Sequence, residues 1–314
     1  MRFLATLLLL GALPAHGDVC ALPTSDRAFI DRGVQTWEGV RRDSLGVADA
    51  RLPAFYFFDQ KCLWRDRKDT GTEHGGKLTL PGGMEMPARL MTFASSDDDG
   101  HPFLVMALPA LWTAEERHRN NPHLDRLMRG VFVHEMTHTV QARALGGRLT
   151  ELEKEHAIED LNDDIIQQRF GTREGYADAY QKERAALYGA AAAADPAARR
   201  ALAREALRIA KERRAKYFQG SDSYYAEIEE IFLGMEGVAQ WAAYKAAVAD
   251  GVKPQDALAQ MTKGGRFWTQ DEGLAVFLAI DALMPNKWQP RVMGEKVTGV
   301  WTLLEQALGE SNAE

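Results

Sequence analysis

The stretch Val131-Phe132-Val133-His134-Glu135-Met136-Thr137-His138-Thr139-Val140 constrains this chain more than any other. Apart from the histidines, its only charge is Glu135, so it reads as a buried helix. Polar groups buried there without partners would each cost roughly 1–3 kcal/mol or more of lost hydration. Four residues make just over one helical turn, so His134 and His138 leave the helix on one face and can hold one ion between them. Glu135 points about 100° away from His134, placed to reach a water beside that ion rather than the ion itself. Neutral imidazoles suit zinc, one Zn2+ per chain. A carboxylate beside the water that zinc acidifies can serve as general base. The bland alternative is a pair of core histidines satisfied by ordinary hydrogen bonds.

Most of the chain around this stretch divides into sheet and then helix. Ala54–Phe58, Lys61–Trp64, Lys77–Leu80, Arg89–Phe93 and Phe103–Leu108 read as strands, with a turn at Pro81-Gly82-Gly83 and a long hairpin tip from Ser95 to Pro102. Within that tip, Asp97-Asp98-Asp99-Gly100 lacks the ligand spacing of a calcium loop and reads as a solvated turn. From Pro122 onward the pattern is helical. It predicts helices over Leu124–Leu145 (stopping at Gly146-Gly147), over Glu151–Phe170, and from Arg173 into the alanine tract. Further helices restart at Asp195-Pro196, are capped by Ser221-Asp222-Ser223, and open at Thr269 with Glu272 in a capping box.

The segment His134-Glu135-Met136-Thr137-His138 resembles the HExxH motif of the zincin metallopeptidases, and the order of sheet, motif helix and further helices is also similar to theirs. The resemblance implies an α+β, zincin-like fold: an amino-terminal β-sheet lobe over 18–122, then a mainly helical lobe over 123–314 containing the metal-binding helix, together one domain. It implies peptide-bond hydrolysis by zinc-activated water with Glu135 as the catalytic base. An edge strand before the motif helix would pair with an extended peptide or protein substrate. Ala144 stands where the longer metzincin motif has a third histidine, so the gluzincin type is implied, with a Glu from a later helix as third ligand.

Three segments match the Glu-Gly-x-Ala pattern of such helices: Glu174-Gly175-Tyr176-Ala177, Glu236-Gly237-Val238-Ala239 and Glu272-Gly273-Leu274-Ala275. Glu236 borders an apolar stripe of Ile228, Ile231, Phe232, Met235 and Ala239, with Gly234 and Gly237 suited to a close helix approach. Glu272 has a rival use in the capping box, and Glu174 falls on a solvated face. Glu183 lies on the stripe of Tyr176, Tyr180 and Leu187, and Glu159 follows His138 at a thermolysin-like distance. We take Glu236 as the third ligand, with Glu183, Glu159, Glu272 and Glu174 as rivals. Tyr224, Tyr225, Tyr244 and His156 are each chemically able to stabilise an oxyanion, and the sequence does not choose among them.

The amino terminus has the layout of a secretory signal peptide over residues 1–17: Met1-Arg2, an apolar run from Phe3 to Leu13, and Ala15-His16-Gly17. That run is too short to span a bilayer, so the mature chain is expected to be exported, periplasmic or extracellular, without stable membrane insertion. Cys20 and Cys62 are then expected to pair in an oxidising compartment. With 38 basic against 45 acidic residues and a net charge of −7, the chain lacks the basic stripe that nucleic-acid binding requires. Two function classes therefore compete: a secreted zinc metallopeptidase, and a non-catalytic exported scaffold or binding protein on a zincin-like fold.

Overall fold

The computed structural model describes residues 20–309 apart from 263, 264 and 295, so the expected signal peptide lies outside the described residues. The first helix of the described residues, α1 (Thr24–Asp43), was not part of the expected sheet-rich lobe. Its signal is Phe29, Ile30, Val34, Trp37 and Val40, recurring at helical spacing along one buried face. Gly33 meets the Phe132 ring so closely that a Cβ would lie 3.2 Å away.

The strands follow: β1 (Ala54–Phe58), β2 (Cys62–Arg65), β3 (Thr72–Glu73), β4 (Lys77–Thr79), β5 (Glu85–Pro87), β6 (Thr92–Ser96) and β7 (Pro102–Ala107). Five of them form one sheet in the order β3-β2-β1-β7-β6, parallel only between β1 and β7; β4 and β5 pair separately. The strand expected over Arg89–Phe93 begins three residues late. The main chain turns at Pro87, where Arg89 N–H bonds to Pro87 O, and the first bond to β7 is the one Met91 O accepts from Ala107 N–H. Phe55 and Phe57 of β1 stack on Phe132, which seats the sheet against the motif helix. A Cys20–Cys62 disulfide ties the start of the described chain to β2, and Trp64 Nε1 donates to Cys20 O at 2.9 Å. Closing a loop of this length contributes about 4 kcal/mol on the chain-entropy view.

The rest is helical: α2 (Pro109–Ala114), α3 (Leu124–Gln141), a π turn (Ala142–Gly146), α4 (Gly147–His156), α5 (Ile165–Phe170), α6 (Tyr176–Ala192) and α7 (Pro196–Tyr217). After them come α8 (Tyr225–Ala249), α9 (Pro254–Thr262), α10 (Trp268–Leu283), α11 (Gln289–Met293) and α12 (Val300–Leu308). Gly146 and Gly147 do not stop the motif helix. Both keep right-handed helical angles, and the π turn carries the chain straight into α4. The stop comes at Ala157, in the left-handed region, and this divides the helix expected over Glu151–Phe170. Asp195 caps α7 as expected, accepting from Ala197 and Ala198 N–H. The other two expected caps do not form, because tertiary partners claim their side chains. Asp222 pairs with Arg169 and Arg173, Thr269 donates to Asp163 O, and Glu272 binds Arg213.

One apolar cluster runs from the sheet through α3 into α8, α10 and α12. A second, including Leu152, Ile165, Phe170 and Phe232, lies beneath α4 and α5. Among the described residues no helix is long and apolar enough to cross a membrane.

Candidate metal centre

Helix α3 lies between the sheet and α8 because Phe132, Val133 and Met136 are buried in the core. That packing leaves the face bearing His134 and His138 turned toward α8. Their Nε2 atoms stand 3.0 Å apart, with the rings at 89°. From α8, Glu236 brings Oε2 to 3.2 Å from His134 Nε2 and Oε1 to 3.2 Å from His138 Nε2. The helix approach that delivers it depends on glycine: a Cβ on Gly237 would sit 2.6 Å from Gly273 O of α10. All three side chains are deeply set, with accessibilities of 9–12%.

The three donors form a triangle with sides near those of a tetrahedral ion, whose ligand atoms at bonds of ~2.0–2.1 Å lie about 3.3 Å apart. Glu236 Oε2 is buried, and although His134 is near, the angle allows no hydrogen bond. An orphaned carboxylate oxygen facing two imidazole nitrogens is a costly arrangement unless a cation completes it. His134, His138 and Glu236 could therefore hold a metal ion. His138 is oriented for this, since its Nδ1 donates to Gln141 Oε1 at 3.1 Å and turns Nε2 toward Glu236, where a metal would displace its proton. Gln141 is itself anchored through Nε2 to Gly234 O on α8.

Electrostatics follow the same geometry. Burial opposes charge on His138, but the facing Glu236 carboxylate outweighs it and lifts the ring to about 9. Burial likewise pushes Glu236 up, yet the two imidazoles hold it well below the usual carboxylate range. Glu135 stands outside the triangle. Burial raises its pKa, the neighbouring imidazoles moderate the rise, and Oε2 accepts the Ala94 N–H at 3.0 Å.

Ala94 lies on β6, the free edge of the sheet. Ladder bonds at Met91–Ala107 and Asp97–His101 fix the alternation, so Thr92, Ala94 and Ser96 turn their main-chain groups away from β7. Ala94 and Ser96 line a cavity of about 1030 Å³ together with His134, Glu135, His138, Asp163 and Glu236. Asp163 sits on its far wall. Burial, with Glu236 nearby, pushes this carboxyl up to about 6, and Oδ2 accepts from Gln270 Nε2 at 3.3 Å. Gln270 Oε1 in turn accepts from Gln240 at 2.8 Å.

Of the rival glutamates, Glu183 and Glu272 are buried against Arg213, while Glu159 and Glu174 are exposed. Tyr224 stacks on His156 beside a separate depression, Tyr225 packs against Phe170, and Tyr244 lies against the main core. None of these four lines the cavity. Sequence reasoning missed Gln141, Gln270 and the outward Ala94 N–H. Gln141 follows His138 by three residues, so helical spacing was a usable signal for it alone. Comparison with protein-family models, curated proteins and solved structures returned no match for this chain.

Proposed function

We propose that the chain is an exported, zinc-dependent metallopeptidase with a zincin-like fold, and that zinc is held by His134, His138 and Glu236. The observation that carries this reading is the orphaned, buried Glu236 oxygen facing two imidazole nitrogens, with an independent carboxylate, Glu135, beside them. Two nitrogens and one carboxylate oxygen, with no thiolate, are the donor set of a catalytic zinc site that keeps an open position. Bound zinc supplies Lewis acidity, acidifying water and polarising a substrate carbonyl.

The chain's own groups do the rest. Glu135 accepts the proton of the attacking water, and its raised pKa suits it to pass that proton on to the leaving amine. Ala94 N–H holds Glu135 in place, and the outward groups of β6 offer hydrogen bonds to an extended peptide. Gln141 keeps His138 turned toward the ligand position. The Cys20–Cys62 disulfide supports export to an oxidising compartment.

Zinc-loaded protein is expected to contain one ion per chain and to cleave unstructured peptides. Glu135→Gln should retain the ion but lose about 10²-fold or more in kcat, the range a general base contributes. Wild-type turnover by that variant, or a purified chain that refuses zinc, would reject the assignment.

A further inference from the structure

The cavity before the triad is bounded by the edge of β6 and the β6–β7 tip on one side and by the Leu161–Asp163 loop on the other. Its charged lining is one-sided. Asp97 and Asp98 stand at the tip, Asp163 stands on the facing wall, and no Lys or Arg side chain among the described residues joins them. Several acidic groups elsewhere have an arginine partner, as Asp222 has Arg169 and Arg173, Asp250 has Arg129 and Glu227 has Arg148, whereas this cavity offers its acids none among the described residues. Asp98 and Asp163 have no ion-pair partner among the described residues. Asp97 is held by Asp99 and His101 N–H, with His101 Nδ1 also near. These acids line the same cavity as the Glu236 oxygen that makes no hydrogen bond, so a ligand entering toward the triad passes between them.

We propose that this cleft selects peptides carrying positive charge beside the scissile bond. The inference rests on the peptidase reading above and names the substrate class of that same site. A divalent ion at the triad offsets Glu135 and Glu236, which leaves Asp97, Asp98 and Asp163 as the field a substrate meets. Cleft walls of one sign focus that field and raise the local concentration of oppositely charged ligand. A peptide paired along β6 runs toward the Asp97–Asp98 tip, and its side chains alternate between the two faces of the extended strand. A Lys or Arg near the Ser96 end therefore lies beside Asp98, while one directed across the cavity approaches Asp163.

The test uses zinc-loaded full-length protein and three peptides identical except for Lys, Gln or Glu on both sides of one cleavable bond. The Lys peptide should exceed the Glu peptide in kcat/KM by about tenfold or more at low salt, and the gap should shrink at 0.5 M NaCl as the field is screened. Asp98→Asn and Asp163→Asn should each lower turnover of the Lys peptide more than that of the Gln peptide. Equal cleavage of Lys and Glu peptides, or equal losses for both in the variants, overturns the charge preference and leaves the peptidase reading intact. Binding of the same peptides to zinc-loaded Glu135→Gln, followed by fluorescence anisotropy, separates the two ideas. Preferential capture of the Lys peptide supports the cleft preference even where turnover is absent, and cleavage of no peptide by wild type defeats the peptidase reading. Capture of Lys and Glu peptides alike counts against the preference.

Discussion

Helix α8 carries two buried carboxylates two turns apart on one face, Glu229 and Glu236, and they meet opposite fates. Glu229 belongs to a closed ionic cluster. Arg213, fully buried, donates Nε to Glu183 at 2.8 Å, Nη2 to Glu272 at 2.8 Å and Nη1 to Glu229, while Arg214 Nη1 reaches the second Glu229 oxygen at 2.6 Å. Burial, reinforced by Glu183, pushes the Glu272 carboxyl well above the usual range. Each buried acid of the cluster thus has an arginine partner supplied by the fold itself. Glu236 faces only imidazoles, and one of its oxygens has no hydrogen bond. A buried acid given its own arginine is structural; one that faces imidazoles, which can give up their protons and bind a metal, is poised for an incoming cation.

Removing the built-in cation should do the most damage. Arg213→Met leaves Glu183 and Glu272 without their arginine in the core, while Glu229 keeps Arg214, and is expected to cost about 3–5 kcal/mol in urea unfolding, with or without metal. A cost below about 1 kcal/mol would show that the cluster is not the closed network described. Adding the missing cation should have the next largest effect. Zinc at a hundredfold over its Kd should stabilise the wild type by about 2.7 kcal/mol and leave Glu236→Ala nearly unmoved. Equal thermal shifts in both proteins would place the ion elsewhere.

The last comparison is the pH dependence of the metal-free protein. His138 is raised from its ordinary value to about 9, so its contribution is complete below about 6.5 and is lost as pH rises through about 9. With a chelator present, stability is therefore expected to fall across that window. Glu236→Gln, which removes the carboxylate that holds the proton, should flatten the fall. An unchanged slope in the variant would break the link between the two side chains.

Much of the fold could be read locally. The strand cores, the Asp195 cap and the motif helix follow from periodicity and capping chemistry that act within a few residues. The α1 face of Phe29, Ile30, Val34 and Trp37 was equally readable by that rule and was overlooked. Caps at Asp222 and Thr269 failed for a different reason: each side chain had a partner from a distant element that outcompeted its own helix end. The continuation through Gly146-Gly147 was open for the same reason, since glycine tolerates helical angles wherever packing asks for them.

The two histidines and Glu135 were specified by short-range geometry, because an i, i+4 pair on a buried helix has its relative position set by the helix itself. The third ligand was not specified in that way. Glu174, Glu236 and Glu272 carry the same local Glu-Gly-x-Ala signature; helical spacing sets Glu174 on a solvated face and favours Glu236, but it does not fix which buried acid meets imidazole and which meets arginine. The Gly237–Gly273 crossing lies beside Glu236, which faces α3, while Arg213 occupies the carboxylates of Glu183 and Glu272. Which acid meets imidazole is decided by contacts between residues far apart in the chain, and those exist only once the helices have packed.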